Sequence, residues 1–173
     1  MKAPDYDVFL MTGSEGGLVR AARLYTGLRD ESLFITSKTA SGKPFFTRLP
    51  DVHFSVSHSG GYWACAFGPS PVGLDLQIHR ECDAMKLSRR FFHPDEDAFL
   101  LGRGYKFEDF FYIWAAKESF VKYTGEGIAR GLDSFSVVPP PEKPEIRHIP
   151  FQPGYELCIC AETIGEVRLL PIK

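Results

Sequence analysis

The chain has 173 residues, with 20 Lys and Arg against 22 Asp and Glu and a net charge of −2. That balance excludes a strongly basic nucleic-acid binder, and 15 Phe, 7 Tyr and 2 Trp are more aromatic surface than a disordered chain carries. The length suits one domain, or two small halves packed as one unit around a sizeable core.

The start, Met1-Lys2-Ala3-Pro4-Asp5-Tyr6-Asp7, leads into no long apolar run, so no signal peptide is expected. No stretch approaches the roughly 20 apolar residues that span a bilayer. Gly16 to Leu28 reads as a short helix, with Val19, Ala22 and Leu24 apolar and Gly27 as its C-cap. Leu33-Phe34-Ile35 is expected as a strand, followed by a turn at Ser41-Gly42-Lys43-Pro44. Three strands are expected over 53–57, 62–67 and 72–77, separated by Gly, Pro and Ser.

From Asp83 the pattern turns helical. Met85 to Phe92, Asp95 to Leu101 and a longer run from Glu108 to Tyr123 are expected as helices, the last stopped by Gly125 and Gly127. Strands return at Phe135 to Val138, Tyr155 to Ala161 and Glu166 to Leu170, and Pro139 to Pro144 forms a stiff connection that cannot be an interior strand. Phe54-Ser55-Val56 and Gly61-Tyr62 are echoed by Phe135-Ser136-Val137 and Gly154-Tyr155, a weak sign of duplication. The expectation is α+β, with two similar halves, 1–80 and 81–173, forming one integrated unit around a shared cleft. Cys65, Cys82, Cys158 and Cys160 lack metal-site spacing and read as reduced residues of a cytoplasmic protein.

Four segments carry polar chemistry. On a strand, Val72, Leu74 and Leu76 share one face, and Gly73, Asp75 and Gln77 share the other. That second face is either an ordinary exposed one or a place for a hard cation such as Mg²⁺, which takes oxygen ligands. In Trp114-Ala115-Ala116-Lys117-Glu118-Ser119-Phe120-Val121-Lys122, helical spacing puts Trp114, Glu118 and Lys122 on one stripe. Glu118 and Lys122 are either a surface pair or, given the apolar flanks, a partly buried functional one. Ser55-Val56-Ser57-His58-Ser59 runs into Gly60-Gly61. Neighbours in extended chain point apart, which suits oxyanion contact, or a plain turn, better than a Ser–His relay. Lys38 and Lys43 flank a polar turn that is not a phosphate-binding Walker loop and by default is a solvated loop.

In this order the segments resemble the 4′-phosphopantetheinyl transferases of the surfactin-synthetase-activating type. The matches are Gly42-Lys43-Pro44, Phe54 to Ser59, Val72-Gly73-Leu74-Asp75, Trp114 to Lys122 and Leu132 to Val137, and the resemblance spans roughly Leu18 to Ala161. It implies two similar α+β halves with coenzyme A between them. It further implies transfer of the 4′-phosphopantetheine arm to a serine of an apo acyl or peptidyl carrier protein, dependent on Mg²⁺ with Mn²⁺ as a substitute. Asp75, Glu118 and Gln77 are the implied metal ligands, and Glu118 and Lys122 the catalytic pair. Lys38, Lys43, Ser57, His58 and Lys122 are the implied coenzyme contacts. A monomer is expected, with neither nucleic acid nor membrane as partner, and a non-catalytic carrier- or coenzyme-binding module is the alternative. Two departures stand out: Gln77 replaces the family's usual Glu, and the family's basic stretch before Leu18 is shortened. Lys86, Arg89 and Arg90 beside Phe91-Phe92 are expected to form part of the carrier-docking surface.

Overall fold

A computed structural model describes residues 3–127 and 131–172, so Met1 and Lys2 of the polar start lie outside the described residues. The first strand, β1 (Tyr6–Thr12), has six consecutive buried residues. Tyr6, Val8 and Leu10 face one core and Phe9 and Met11 another. Burial on both faces erases the apolar–polar alternation that marks a strand, which is why no strand is expected there from the sequence. β1 pairs antiparallel with β5 (Tyr62–Gly68) and parallel with β9 (Val167–Pro171), while β4 (His53–Ser59) closes the sheet in the order β4-β5-β1-β9. A second sheet runs β6 (Val72–Ile78), β8 (Tyr155–Ala161), β7 (Glu145–His148). A short hairpin of β2 (Thr36–Lys38) and β3 (Pro44–Phe46) carries the polar turn.

The two sheets face each other. Val72, Leu74 and Leu76 of β6 and Leu157 and Ile159 of β8 meet Tyr6, Val8, Ala64 and Ala66 in one core. Helix α1 (Gly17–Thr26), ending at left-handed Gly27, covers the outer face of the first sheet through Ala21 and Ala22. On the outer face of the second lie α2 (Ala84–Phe91), α3 (Pro94–Gly102) and α4 (Phe107–Thr124), joined to Cys158 and Ile146 by Leu100, Phe110, Ile113 and Ala116. The architecture is α+β. Sheet membership crosses residue 80 in both directions, since β6 pairs with β8 and β9 with β1.

Side chains, not a backbone ladder, join the sheets where β4 meets β6. The amides of Leu74, Leu76 and Ile78 donate to Ser55, Ser57 and Ser59 Oγ at 2.9, 3.0 and 2.9 Å. Every second residue of β4 thus satisfies an edge amide of β6 that would otherwise be buried without a partner.

Two expected strands take other forms. Leu33 and Phe34 belong to a 3-10 helix, Glu31–Phe34, because the Asp30 side chain accepts from Ser32 N and starts a turn. Phe135 to Val138 forms no strand, since its backbone groups are taken by side chains. Phe135 O accepts from Lys117 Nζ, Val137 N donates to Glu96 Oε1, and Ser136 Oγ bonds both the amide and the carbonyl of Val138. The echo therefore holds only at Gly61-Tyr62 and Gly154-Tyr155, which precede or open β5 and β8. All four cysteines are free, and Cys158 and Cys160 are buried as expected of small core residues.

Candidate active site

Asp75 sits at the middle of β6, 2% exposed, with its side chain on the face covered by α4. The helix can lie this close because residue 73 is glycine. A Cβ there would stand 1.9 Å from Ser119 O and 2.4 Å from Tyr123 N. The backbone of α4 fills the room that the missing side chain of Gly73 leaves.

Four predicted residues meet directly. Asp75 Oδ1 accepts from Lys122 Nζ at 2.7 Å and from Ser57 Oγ at 3.0 Å, and Oδ2 accepts from Gln77 Nε2 at 2.9 Å. Lys122 Nζ also donates to Ser57 Oγ at 3.1 Å and to Leu74 O at 3.0 Å. Glu118 lies one helical turn before Lys122, and among the described residues its carboxylate has no hydrogen bond or ion pair with the protein. Burial raises the Glu118 carboxyl above its ordinary range, the nearby Asp75 charge adds to that, and Lys122 opposes it. A half-buried carboxylate without a protein partner, beside a second carboxylate and an amide, is a donor set of hard oxygens suited to Mg²⁺. Asp75 is engaged by the Lys122, Gln77 and Ser57 donors, and no cluster of three or more His, Cys, Asp or Glu side chains is poised for a metal among the described residues.

Glu118 and Lys122 line a cavity of about 270 Å³ together with Ser41, Lys43, Ser55 and Gly125. Lys43 closes one wall, donating to Val72 O at 3.1 Å and Tyr123 O at 3.2 Å, and burial lowers its pKa. It thereby satisfies a carbonyl in the last turn of α4. Left-handed Gly125 ends that helix, and at left-handed Gly127 a Cβ would lie 2.9 Å from Ser41 O. These glycines let the polar turn approach α4. A neighbouring cavity of about 440 Å³ shares Ser41, Lys43 and Phe54 and extends to His53 and Tyr123.

The remaining candidates stand apart from this cluster. His58 is exposed and alternates to the opposite face of β4 from Ser57, lining a cavity of about 280 Å³ with Ser14, Gly60 and Trp63. Lys38 is exposed on β2, opposite Pro44. Lys86, Arg89 and Arg90 are exposed on α2, but Phe92 is 4% exposed and stacks on Phe110, so it belongs to the core and offers no docking area. Phe91 instead lines a groove with Gln77, Arg80, Leu87 and Trp114.

Sequence reasoning missed the pair that holds α4 in place. Lys117 and Glu96 are both fully buried, 2.7 Å apart, and join α4 to α3 and to the 135–137 segment. The available signal is a lysine on the apolar stripe Phe110, Ile113, Lys117, Val121, where a charge needs a buried partner.

A strand acid, a helix Glu–Lys pair and a half-buried lysine in a polar turn thus converge from segments far apart in the chain. A model of the 4′-phosphopantetheinyl transferase superfamily matches residues 71–167, the stretch holding both acids and Lys122. The chain is 36% identical to 4′-phosphopantetheinyl transferase Sfp of Bacillus subtilis (strain 168) over 146 residues, 76% of this chain and 65% of that protein. It is 33% identical to 4′-phosphopantetheinyl transferase psf-1 of Bacillus pumilus over 134 residues, 69% of this chain and 57% of the relative. With 4′-phosphopantetheinyl transferase gsp of Aneurinibacillus migulanus the identity is 36% over 100 residues, 57% of this chain and 41% of the relative. The chain thus spans about two thirds, or less, of the length of these relatives. With more than half of the chain inside the family's pattern, it belongs to the 4′-phosphopantetheinyl transferase superfamily.

Proposed function

We propose that the chain transfers 4′-phosphopantetheine from coenzyme A to a serine of an apo acyl or peptidyl carrier protein, releasing adenosine 3′,5′-bisphosphate. The observation that carries this reading is the convergence of Asp75, Glu118 and Lys122 at the β4–β6 seam, beside a cavity closed by Lys43. Asp75, Glu118 and Gln77 would hold Mg²⁺, or Mn²⁺ in its place. The bound ion would neutralise charge on the diphosphate of coenzyme A during in-line displacement.

The protein groups have separate tasks. Glu118, whose proton affinity burial has raised, takes the proton from the carrier serine as its oxygen bonds to phosphorus and the diphosphate P–O bond breaks. Lys122 donates to a phosphoryl oxygen as negative charge builds. Lys43 and Ser57 border the phosphate-binding region, and Lys38 and His58 are assigned the outer coenzyme contacts by resemblance alone. The groove of Phe91, Leu87 and Trp114, with Lys86, Arg89 and Arg90 nearby, suits an acidic carrier with some apolar surface. A cytoplasmic monomer that engages neither nucleic acid nor membrane completes the reading. The net charge of −2 argues against a polyanionic partner.

The test is mass spectrometry of an apo carrier protein incubated with the chain, coenzyme A and Mg²⁺. A gain of one phosphopantetheine arm is expected. Glu118→Gln should lower the rate by about 10²–10⁴-fold, the range of a lost general base, with the fold retained by circular dichroism. An unmodified carrier that nevertheless binds would replace the reading with the binding-module alternative. Coenzyme cleavage without a carrier would point to a pyrophosphatase.

A further inference from the structure

Lys122 Nζ has three N–H donors, and all three are spent, on Asp75 Oδ1, Ser57 Oγ and Leu74 O. In this state it has no donor left for a phosphate oxygen. Asp75 is equally committed: Oδ1 holds the ammonium and the Ser57 hydroxyl, and Oδ2 holds the Gln77 amide. Asp75 is 2% exposed, so water does not screen the ammonium from a second cation on the same oxygen. Gln77 contributes no charge to offset that repulsion. Of the two acids, only Glu118 is without a protein partner among the described residues.

We propose that Lys122 is the resident cation of this site, and that a divalent ion gains Asp75 only by exchange with it. The inference rests on the transferase reading for the identity of the incoming ligand, a diphosphate that takes up the displaced ammonium. Lys122 has the means to leave. Its side chain is 28% exposed, whereas that of Asp75 is fixed within the sheet, and a four-carbon stem swings by rotamer change alone. Moving the ammonium from carboxylate to phosphate exchanges one anionic oxygen for another and leaves Asp75 and Glu118 with two uncompensated charges for the ion. Cation and diphosphate therefore bind with positive coupling, each improving the site for the other. In the coenzyme-free protein Lys122 guards Asp75 against divalent ions and at the same time supplies the buried acid with its counter-charge.

The test is titration of Mn²⁺ alone into the coenzyme-free full chain, followed by the electron paramagnetic resonance signal of free Mn²⁺. Lys122→Met should lower the Mn²⁺ Kd at least tenfold relative to wild type, and adding Asp75→Asn should abolish the gain. Lys122→Gln, which keeps an amide donor for Leu74 O, should show the same direction and carries the test if the Met variant fails to fold. An unchanged or weaker Kd in folded Lys122 variants overturns the proposal. So does a gain that survives Asp75→Asn, because the ion then binds elsewhere. Carrier modification by wild type is scored separately. Transfer with an unchanged Mn²⁺ Kd in the variants sinks the exchange alone, and exchange without transfer sinks the transferase reading alone.

Discussion

Gly73 fixes the distance between the strand acid and the helix lysine. Its missing Cβ leaves room for Ser119 O and Tyr123 N, and both are backbone atoms that no rotamer change can withdraw. Gly73→Ala therefore has to move α4 as a body. We expect it to cost about 3 kcal/mol, the upper end for overpacking a filled site, read as a lower urea midpoint at unchanged slope. The same shift should lengthen the Lys122–Asp75 contact and lower carrier modification beyond the loss of stability. At this scale much of the candidate site is legible in the sequence. Strand alternation puts Asp75 and Gln77 together, and helical spacing puts Glu118 one turn from Lys122. What alternation cannot show is which element covers that face. The side-chain partners of Lys122 lie 47 and 65 positions away, at Asp75 and Ser57.

Between elements, the buried Lys117–Glu96 pair decides how α4 meets α3. Glu96 Oε1 also accepts from Val137 N, and Oε2 accepts from His93 N to complete the cap of α3, so one carboxylate ties three segments. A fully buried pair adds little net stability, but removing one partner strands the other. Lys117→Met should cost about 3–5 kcal/mol for that reason. Combined with Glu96→Gln, which removes the stranded charge and keeps an acceptor for Val137 N, the loss should fall short of the sum of the singles by about 2 kcal/mol. Urea unfolding of the four proteins measures this, and strict additivity would show that the charges do not interact. The same contacts explain a limit of sequence reading. Phe135 to Val138 has strand composition, but the acceptor for Val137 N lies 41 positions away. The helices are legible within one or two residues because their stripes and caps are local. The strands β2, β3 and β7, of three or four residues, are too short to show a period.

At the scale of the molecule, the sheets exchange strands across residue 80, share the Tyr6–Leu74–Ile159 core and are stitched by three serines. Helix α1 and helix α4 cover opposite outer faces, and each outer core is built on strands whose other faces line the central one. The two halves expected from the sequence form one unit, and sheet membership ties residues on either side of 80, because cutting there parts β6 from β8 and β1 from β9. One cooperative unfolding transition is therefore expected. The two tryptophans are placed to test it: Trp63 is buried in the core under α1, and Trp114 packs with Phe92 and Phe110 in the core under α4. Trp63→Phe and Trp114→Phe each leave one reporter. Within each variant, urea midpoints from tryptophan fluorescence and far-ultraviolet circular dichroism should coincide. A fluorescence midpoint displaced from the dichroism midpoint in either protein would show that one outer core melts on its own. A site built at the seam would then lose its geometry before the fold as a whole is lost.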